Sequence, residues 1–254
     1  LLSKAGVCSR TQARAFIVAG RVRVNGVVIV DPEAWFDAER DEIALDGRAV
    51  LGRGASGAEP VYLALHKPRG CVTTRSDPDG RATVYDLVAD CGAWVVPVGR
   101  LDLDTSGLLL FTNDTQFAEL LTNPASHVEK LYEVLARPRL GDDALERLRR
   151  GVVLHDGPTR PARVEKLGER GPCTRFRIGI TEGRNRQVRR MVKEAGSRVE
   201  KLARVAIGPL ALGELARGAV RHDRAPGARA EDQEMFHRVP PLAAARAPAP
   251  RSRA

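Results

Sequence analysis

Between residues 9 and 20 the apolar positions Ala13, Phe16 and Ile17 recur at helical spacing. Ser9, followed three residues later by Gln12, has the form of a capping box, and Gly20 stands where a helix stops. Alternation then replaces the helical period. Val22-Arg23-Val24 and Val27-Val28-Ile29 flank Asn25-Gly26, the dipeptide that best suits a two-residue hairpin turn. This pattern predicts a compact helix-then-hairpin module over residues 1–48. Gly, Ala and Ser then dominate a stretch read as a flexible linker over 49–60. From 61 to 224 the chain alternates β runs with a few helical segments. Strands are expected at 61–65, 107–112, 131–136, 161–167, 174–181 and 199–207. Helices are expected at 115–122, 142–150 and 184–195, the last closed by Gly196. No unit repeats. Beyond Arg224, Ala, Arg and Pro accumulate, which predicts a disordered basic tail over 225–254.

Composition adds limits to this picture. A chain of 254 residues accommodates one large or two ordinary domains. Aromatics make up only 4%, so the core must rest on Leu, Val, Ala and Ile. The net charge is +9, and 35 of the 41 basic residues are Arg. A GC-rich genome accounts for most of that Arg usage, so the charge is informative only through its placement. Residues 1–30 carry five basic residues (Lys4, Arg10, Arg14, Arg21, Arg23) and no acid, whereas residues 31–50 carry seven acids and two Arg. Residues 182–204 hold eight basic and three acidic residues, a local +5. Arg10 and Arg14 share a helix face that could meet a phosphate backbone or simply be solvated. No run approaches the roughly 18 apolar residues of a membrane span, and no signal-peptide pattern opens the chain. It starts on Leu rather than Met, which reads as a clipped start. Four scattered Cys and five dispersed His form neither zinc-site spacing nor a disulfide framework. The expectation is a reduced cytoplasmic setting with no metal and no cofactor.

Two segments can carry chemistry. In Gly99-Arg100-Leu101-Asp102-Leu103-Asp104-Thr105-Ser106-Gly107, an Asp loop feeds an apolar strand, a place where side chains can be fixed at a sheet edge. Asp102 could serve as a carboxylate nucleophile at a sugar carbon, as half of an acid/base pair with Asp104, or as a magnesium ligand. It could equally close an Asx-turn. Neighbouring Arg100 argues against a cation site. In the second segment, 182–193, Val188, Met191 and Val192 face the core at helical spacing. Arg186, Arg190 and Lys193 fall on the other face. Arg189 lies near the apolar edge, where a guanidinium requires an acid partner. Tyr132 opens a strand, as a core residue or as a platform for base stacking.

Taken in order, these residues resemble a family. Ala5-Gly6-Val7-Cys8-Ser9-Arg10 and Gly20-Arg21-Val22-Arg23-Val24-Asn25-Gly26 are similar to the S-four-type RNA-binding domain. Lys67-Pro68-Arg69-Gly70, Gly99-Arg100-Leu101-Asp102 with Thr105-Ser106-Gly107-Leu108-Leu109, Lys130-Leu131-Tyr132-Glu133-Val134 and Glu182–Met191 resemble the Rsu-type ribosomal-RNA pseudouridine synthases. The resemblance runs from residue 1 to about 224. It implies an α+β chain: a small helix-plus-hairpin RNA-binding domain, then a mixed, largely antiparallel β-sheet catalytic domain with flanking helices. It implies that Asp102 is the essential carboxylate and that Tyr132 lies against a flipped uracil. Arg189 would pair with Asp102 to aim it, and Arg100 would help hold the nucleotide. RNA contact is expected from Lys4, Arg10, Arg14, Arg21, Arg23, Lys67, Arg184, Arg186 and Arg190. The expected partner is ribosomal RNA, 23S favoured over 16S, free or in an assembling subunit, met by a monomer. Two other classes compete: a non-catalytic RNA-binding assembly protein, and a metal-dependent nuclease or glycosidase built on Asp102 and Asp104.

Overall fold

A computed structural model describes residues 1–3, 5–37, 40–51 and 59–223. Lys4, positions 52–58 of the expected linker and the expected 225–254 tail lie outside the described residues.

The N-terminal unit begins with α1 (Arg10–Val18). Ser9 accepts from the Gln12 amide, and the Gln12 side chain accepts from the Ser9 amide, closing the capping box. The predicted hairpin is β1 (Val22–Val24) and β2 (Val27–Ile29), turned by Asn25 and Gly26, both at positive φ. The chain then adds β3 (Ile43–Leu45) and β4 (Arg48–Leu51), giving an antiparallel sheet in the order β2-β1-β3-β4. The sequence pattern predicts only the first of these two hairpins. Its counterpart turns at Asp46-Gly47, also both at positive φ, between strands too short and too acid-flanked to show an alternation. Leu2, Cys8, Val22, Val24 and Ile43 form the small core of this unit.

The larger unit contains β5 (Tyr62–Lys67), β6 (Val96–Pro97), β7 (Ser106–Thr112), α2 (Thr115–Thr122), β8 (Lys130–Arg137) and α3 (Asp142–Arg150). It continues with β9 (Val153–Leu154), β10 (Gly157–Pro158), β11 (Arg163–Arg170), β12 (Cys173–Ile180) and α4 (Gln187–Glu194). β13 (Arg198–Ile207), β14 (Leu210–Ala211) and β15 (Val220–Asp223) complete it. Nine strands form one sheet, ordered β11-β12-β8-β13-β7-β5-β15, with β6 on β7 and β14 on β13. Leu145 and Leu148 of α3 and Val188, Met191 and Val192 of α4 pack into a cluster with Val134, Phe176, Ile178 and Leu202 from the strands. α4 starts later than expected because Arg186 takes a left-handed φ of 47° at its N-cap and the preceding residues remain a loop.

All pairings in the nine-stranded sheet are antiparallel except β13 on β7, which meet in parallel at Ala203–Ser106 and Arg204–Gly107. Gly107 permits this junction. Its φ is +110°, and a Cβ there would stand 2.2 Å from the Arg204 carbonyl oxygen. Antiparallel pairing sets Tyr132 of β8 opposite Arg204 of β13. The loop that ends in β7 therefore lies beside Arg204 and the start of β8.

Candidate active site

Asp102 sits on the loop between β6 and β7, and its backbone is clamped from several sides. Lys67, at the end of β5, has no exposed surface. Its ammonium donates to the carbonyls of Pro68 at 3.1 Å, Asp102 at 3.0 Å and Thr105 at 3.0 Å. Thr73 donates its hydroxyl to the Leu101 carbonyl at 2.7 Å, and Thr105 N–H donates to the Asp102 carbonyl at 3.1 Å. Burial pushes the Lys67 pKa below the ordinary lysine value, against the opposing charges of Cys71, Asp102 and Asp104. The expected RNA-contacting role of Lys67 is thereby corrected: it is an internal clamp with no surface for a phosphate.

The Asp102 side chain is about one-third exposed, with Arg186 Nη1 at 3.5 Å from its carboxylate. The expected Arg189–Asp102 pair is also corrected. Arg189 meets the Asp104 carboxylate at 3.1 Å, and it donates to the Asp104 carbonyl at 3.0 Å and the Thr105 hydroxyl at 3.3 Å. The reason is placement. Arg189 is half-buried on α4, and its donors engage the 104–105 end of the loop. Arg186, at the exposed N-cap, reaches both acids and binds Asp104 through both terminal nitrogens at 3.1 Å. Burial would raise the Asp104 carboxyl, but hydrogen bonds from Arg186 and the charge of Arg189 outweigh it and hold it below the usual value.

A cleft of about 420 Å³ opens at this loop, lined by Arg100, Asp102, Lys130, Tyr132, Glu182, Arg186 and Arg204 among others. Arg100 is exposed at the cleft, and Tyr132 is half-buried in it. Lys130 and Tyr132, two residues apart on β8, share a strand face. Desolvation and the neighbouring charge of Arg204 bring the Lys130 pKa down to about 8. Arg204 is 4% exposed and donates Nε to the Leu108 carbonyl at 2.8 Å. Sequence pattern alone singles out neither cation as a site residue. The two-residue spacing of Lys130 from Tyr132 was a usable signal, whereas Arg204 enters the site only through strand pairing.

Arg14, Arg21, Arg23, Arg184 and Arg190, also expected to contact RNA, are already engaged within the chain. Arg190 grips Asp156 through two nitrogens at 2.9 and 3.0 Å. Arg184 donates to the carbonyls of Asp156 at 3.3 Å and Gly157 at 3.0 Å. Both tie α4 and its leading loop to the β9–β10 hairpin, where Asp156 at the turn supplies a countercharge to each. Arg21 is paired with Asp46 and lies 4.4 Å over the Phe16 ring. Arg14 meets Glu33 at 3.4 Å, and Arg23 donates to the Gly26 carbonyl at 3.0 Å. Arg10 is exposed and has no ion-pair partner among the described residues. No three His, Cys, Asp or Glu side chains among the described residues converge in a metal-binding cluster. No helix among them is long and apolar enough to cross a membrane.

Residues 61–194 match the family model for RNA pseudouridylate synthase, and residues 1–33 match the S4 domain. The chain is 39% identical over 213 residues to "Ribosomal large subunit pseudouridine synthase B" of Yersinia pestis, covering 84% of this chain and 67% of that protein. It is 38% identical over 206 residues to the protein of the same name from Bacillus subtilis, covering 80% and 82%. A solved structure described as a pseudouridylate synthase superposes with a TM-score of 0.64 at 29% identity, covering 92% of this chain and 96% of that one.

Proposed function

The chain belongs to the RNA pseudouridylate synthase family and carries an S4 domain, and from that premise we propose that it converts a uridine of 23S ribosomal RNA to pseudouridine with Asp102 as its catalytic carboxylate. In this reading residues 1–48 bind RNA, 61–224 catalyse, 49–60 join the two and 225–254 form a tail. The enzyme acts as a monomer in the cytoplasm, on free rRNA or an assembling subunit. The 23S target is supported by the relatives from Yersinia pestis and Bacillus subtilis, both named for the large ribosomal subunit.

The observation that carries the reading is the cleft itself. It gathers one partly exposed carboxylate on a clamped loop, a tyrosine and several cations. The reaction breaks the bond between ribose C1′ and uracil N1, and the electron pair leaves with the base. The base turns, C5 bonds to C1′, the C5 hydrogen is lost and N1 gains a proton. Atoms and oxidation state are unchanged, so no cofactor is consumed. Asp102 acts at the ribose end of the broken bond. Tyr132 lies against the turned base, Arg100 holds the nucleotide at the cleft, and Arg186 and Arg189 fix the acidic loop. Extracting the target from its stack costs a few kcal/mol. Contacts elsewhere on the RNA offset that cost.

Pseudouridine mapping in 23S and 16S rRNA from a deletion strain identifies the target, and complementation with Asp102→Asn tests the carboxylate. The variant is expected to bind the RNA and form no pseudouridine; full activity overturns the assignment. A missing modification in 16S rather than 23S rRNA overturns the proposed target.

A further inference from the structure

Lys130 and Arg204 are two cations side by side without an acid between them. Register places them together: Arg204 is the cross-strand partner of Tyr132, and Lys130 lies two residues from Tyr132 on the same strand face. Among the described residues no carboxylate pairs with either, although Arg184, Arg186 and Arg189 nearby each have one. The Lys130 ammonium makes no hydrogen bond to a described residue, and the Arg204 Nη2 is buried with no partner. Burying the Arg204 cation without an acid partner is costly, and the half-buried Lys130 beside it adds like-charge repulsion. Such a pair is retained where an anion completes it.

Resting on the reading of the cleft as the pseudouridine synthase site, we infer that Lys130, backed by Arg204, is a binding residue for an anionic oxygen of the flipped nucleotide. Two oxygens have that chemistry. One belongs to the backbone phosphate of the target nucleotide. The other is a uracil carbonyl oxygen, which gains negative charge when the C1′–N1 electron pair leaves with the base. Both are met by the same ammonium, and Arg204 strengthens the positive field there.

The charged and titratable groups that line the cleft with Lys130 are Arg204 from β13, Tyr132 from its own strand, Arg100 and Asp102 from the β6–β7 loop, and Glu182, Arg184 and Arg186 from the segment between β12 and α4. Glu182 is already occupied, accepting from the Arg160 amide at 3.0 Å and lying 3.3 Å from Arg184 Nε. With its pKa near 8, Lys130 loses its charge as pH rises from about 7 to about 9, so the anion it binds is held at the lower end of that range and released at the upper.

Single-turnover pseudouridine formation on a short RNA carrying the mapped uridine tests the inference. Wild-type protein is expected to slow across that pH window. Lys130→Arg, charged throughout, is expected to show a flat profile, and Lys130→Met is expected to lose about tenfold or more at neutral pH, the scale of one charge-assisted hydrogen bond. An RNA with an uncharged methylphosphonate 5′ to the target separates the sources. If the phosphate is the ligand, the Lys130→Met penalty vanishes on it; if the uracil oxygen is, the penalty persists. Lys130→Met with the wild-type rate, or Lys130→Arg that keeps the wild-type fall with pH, overturns the inference. Wild-type protein that forms no pseudouridine fails the parent reading instead, leaving the two failures distinct.

Discussion

Lys67 organises the site without touching its surface. A lysine at a strand end ordinarily directs its ammonium to solvent, yet here it bridges three main-chain carbonyls, two of them in the Asp102 loop. Lys67→Met keeps the volume and strands those acceptors, and buried unsatisfied groups cost about 1–3 kcal/mol each. The variant is expected to melt earlier and to lose kcat more than RNA affinity, because the loop that aims Asp102 slackens while the outer RNA contacts remain. Calorimetry together with a kcat and KM comparison checks this; unchanged kcat in a folded variant refutes the clamp. The Lys67-Pro68 pair was visible in the sequence, but its role was not, since residue type records charge and only tertiary packing determines burial. Arg189 gives the same lesson in milder form. Its position at the apolar edge of a helix called for an internal acid, and it has one. Which of two acids two residues apart it meets depended on how α4 docks.

At the scale of elements, the site depends on the parallel junction of β7 and β13. Long strands with apolar alternation, such as 130–137, 173–180 and 198–207, were readable to within a residue or two, because each buries one face over enough length to show its period. The order in which they pair was not readable from period, since it depends on contacts distant in sequence. Gly107 is where that order becomes a local requirement. Gly107→Ala would drive a methyl into the Arg204 backbone at a φ that L residues rarely adopt. Overpacking costs about 1–3 kcal/mol and backbone strain a similar amount. The variant is expected to lower Tm sharply or to be recovered as aggregate, and any folded fraction should lose activity through displacement of Arg204 and the loop before β7. A Tm equal to wild type would show that the junction can open without consequence.

Across the whole molecule the net charge is +9, and among the described residues many of the arginines behind it are paired with acids. The S4 unit reads as a basic face, but its arginines differ in availability. Arg21 is held at both ends, by Asp46 and by stacking on Phe16. Arg14 has a single contact to Glu33 at 3.4 Å, with both side chains largely exposed; a pair of that kind contributes little and is screened by salt. Arg10 is exposed and unpaired among the described residues. If this face lies against an RNA backbone, the three should act in the reverse order of their internal ties. Each phosphate neutralised releases counterions and steepens the fall of affinity with salt, so losing one contact flattens the slope of log K against log salt by about 1. Arg10→Ala is expected to weaken rRNA binding and flatten that slope by about 1. Arg14→Ala should do so to a similar or smaller degree. Arg21→Ala should mainly lower stability and leave the slope near wild type, because its guanidinium is already spoken for by Asp46. Binding titrations at several salt concentrations measure all three. Equal slopes for wild type and Arg10→Ala would move the RNA path off the α1 face and onto the charged segments around the cleft, where Arg100 remains exposed on the same loop as Asp102.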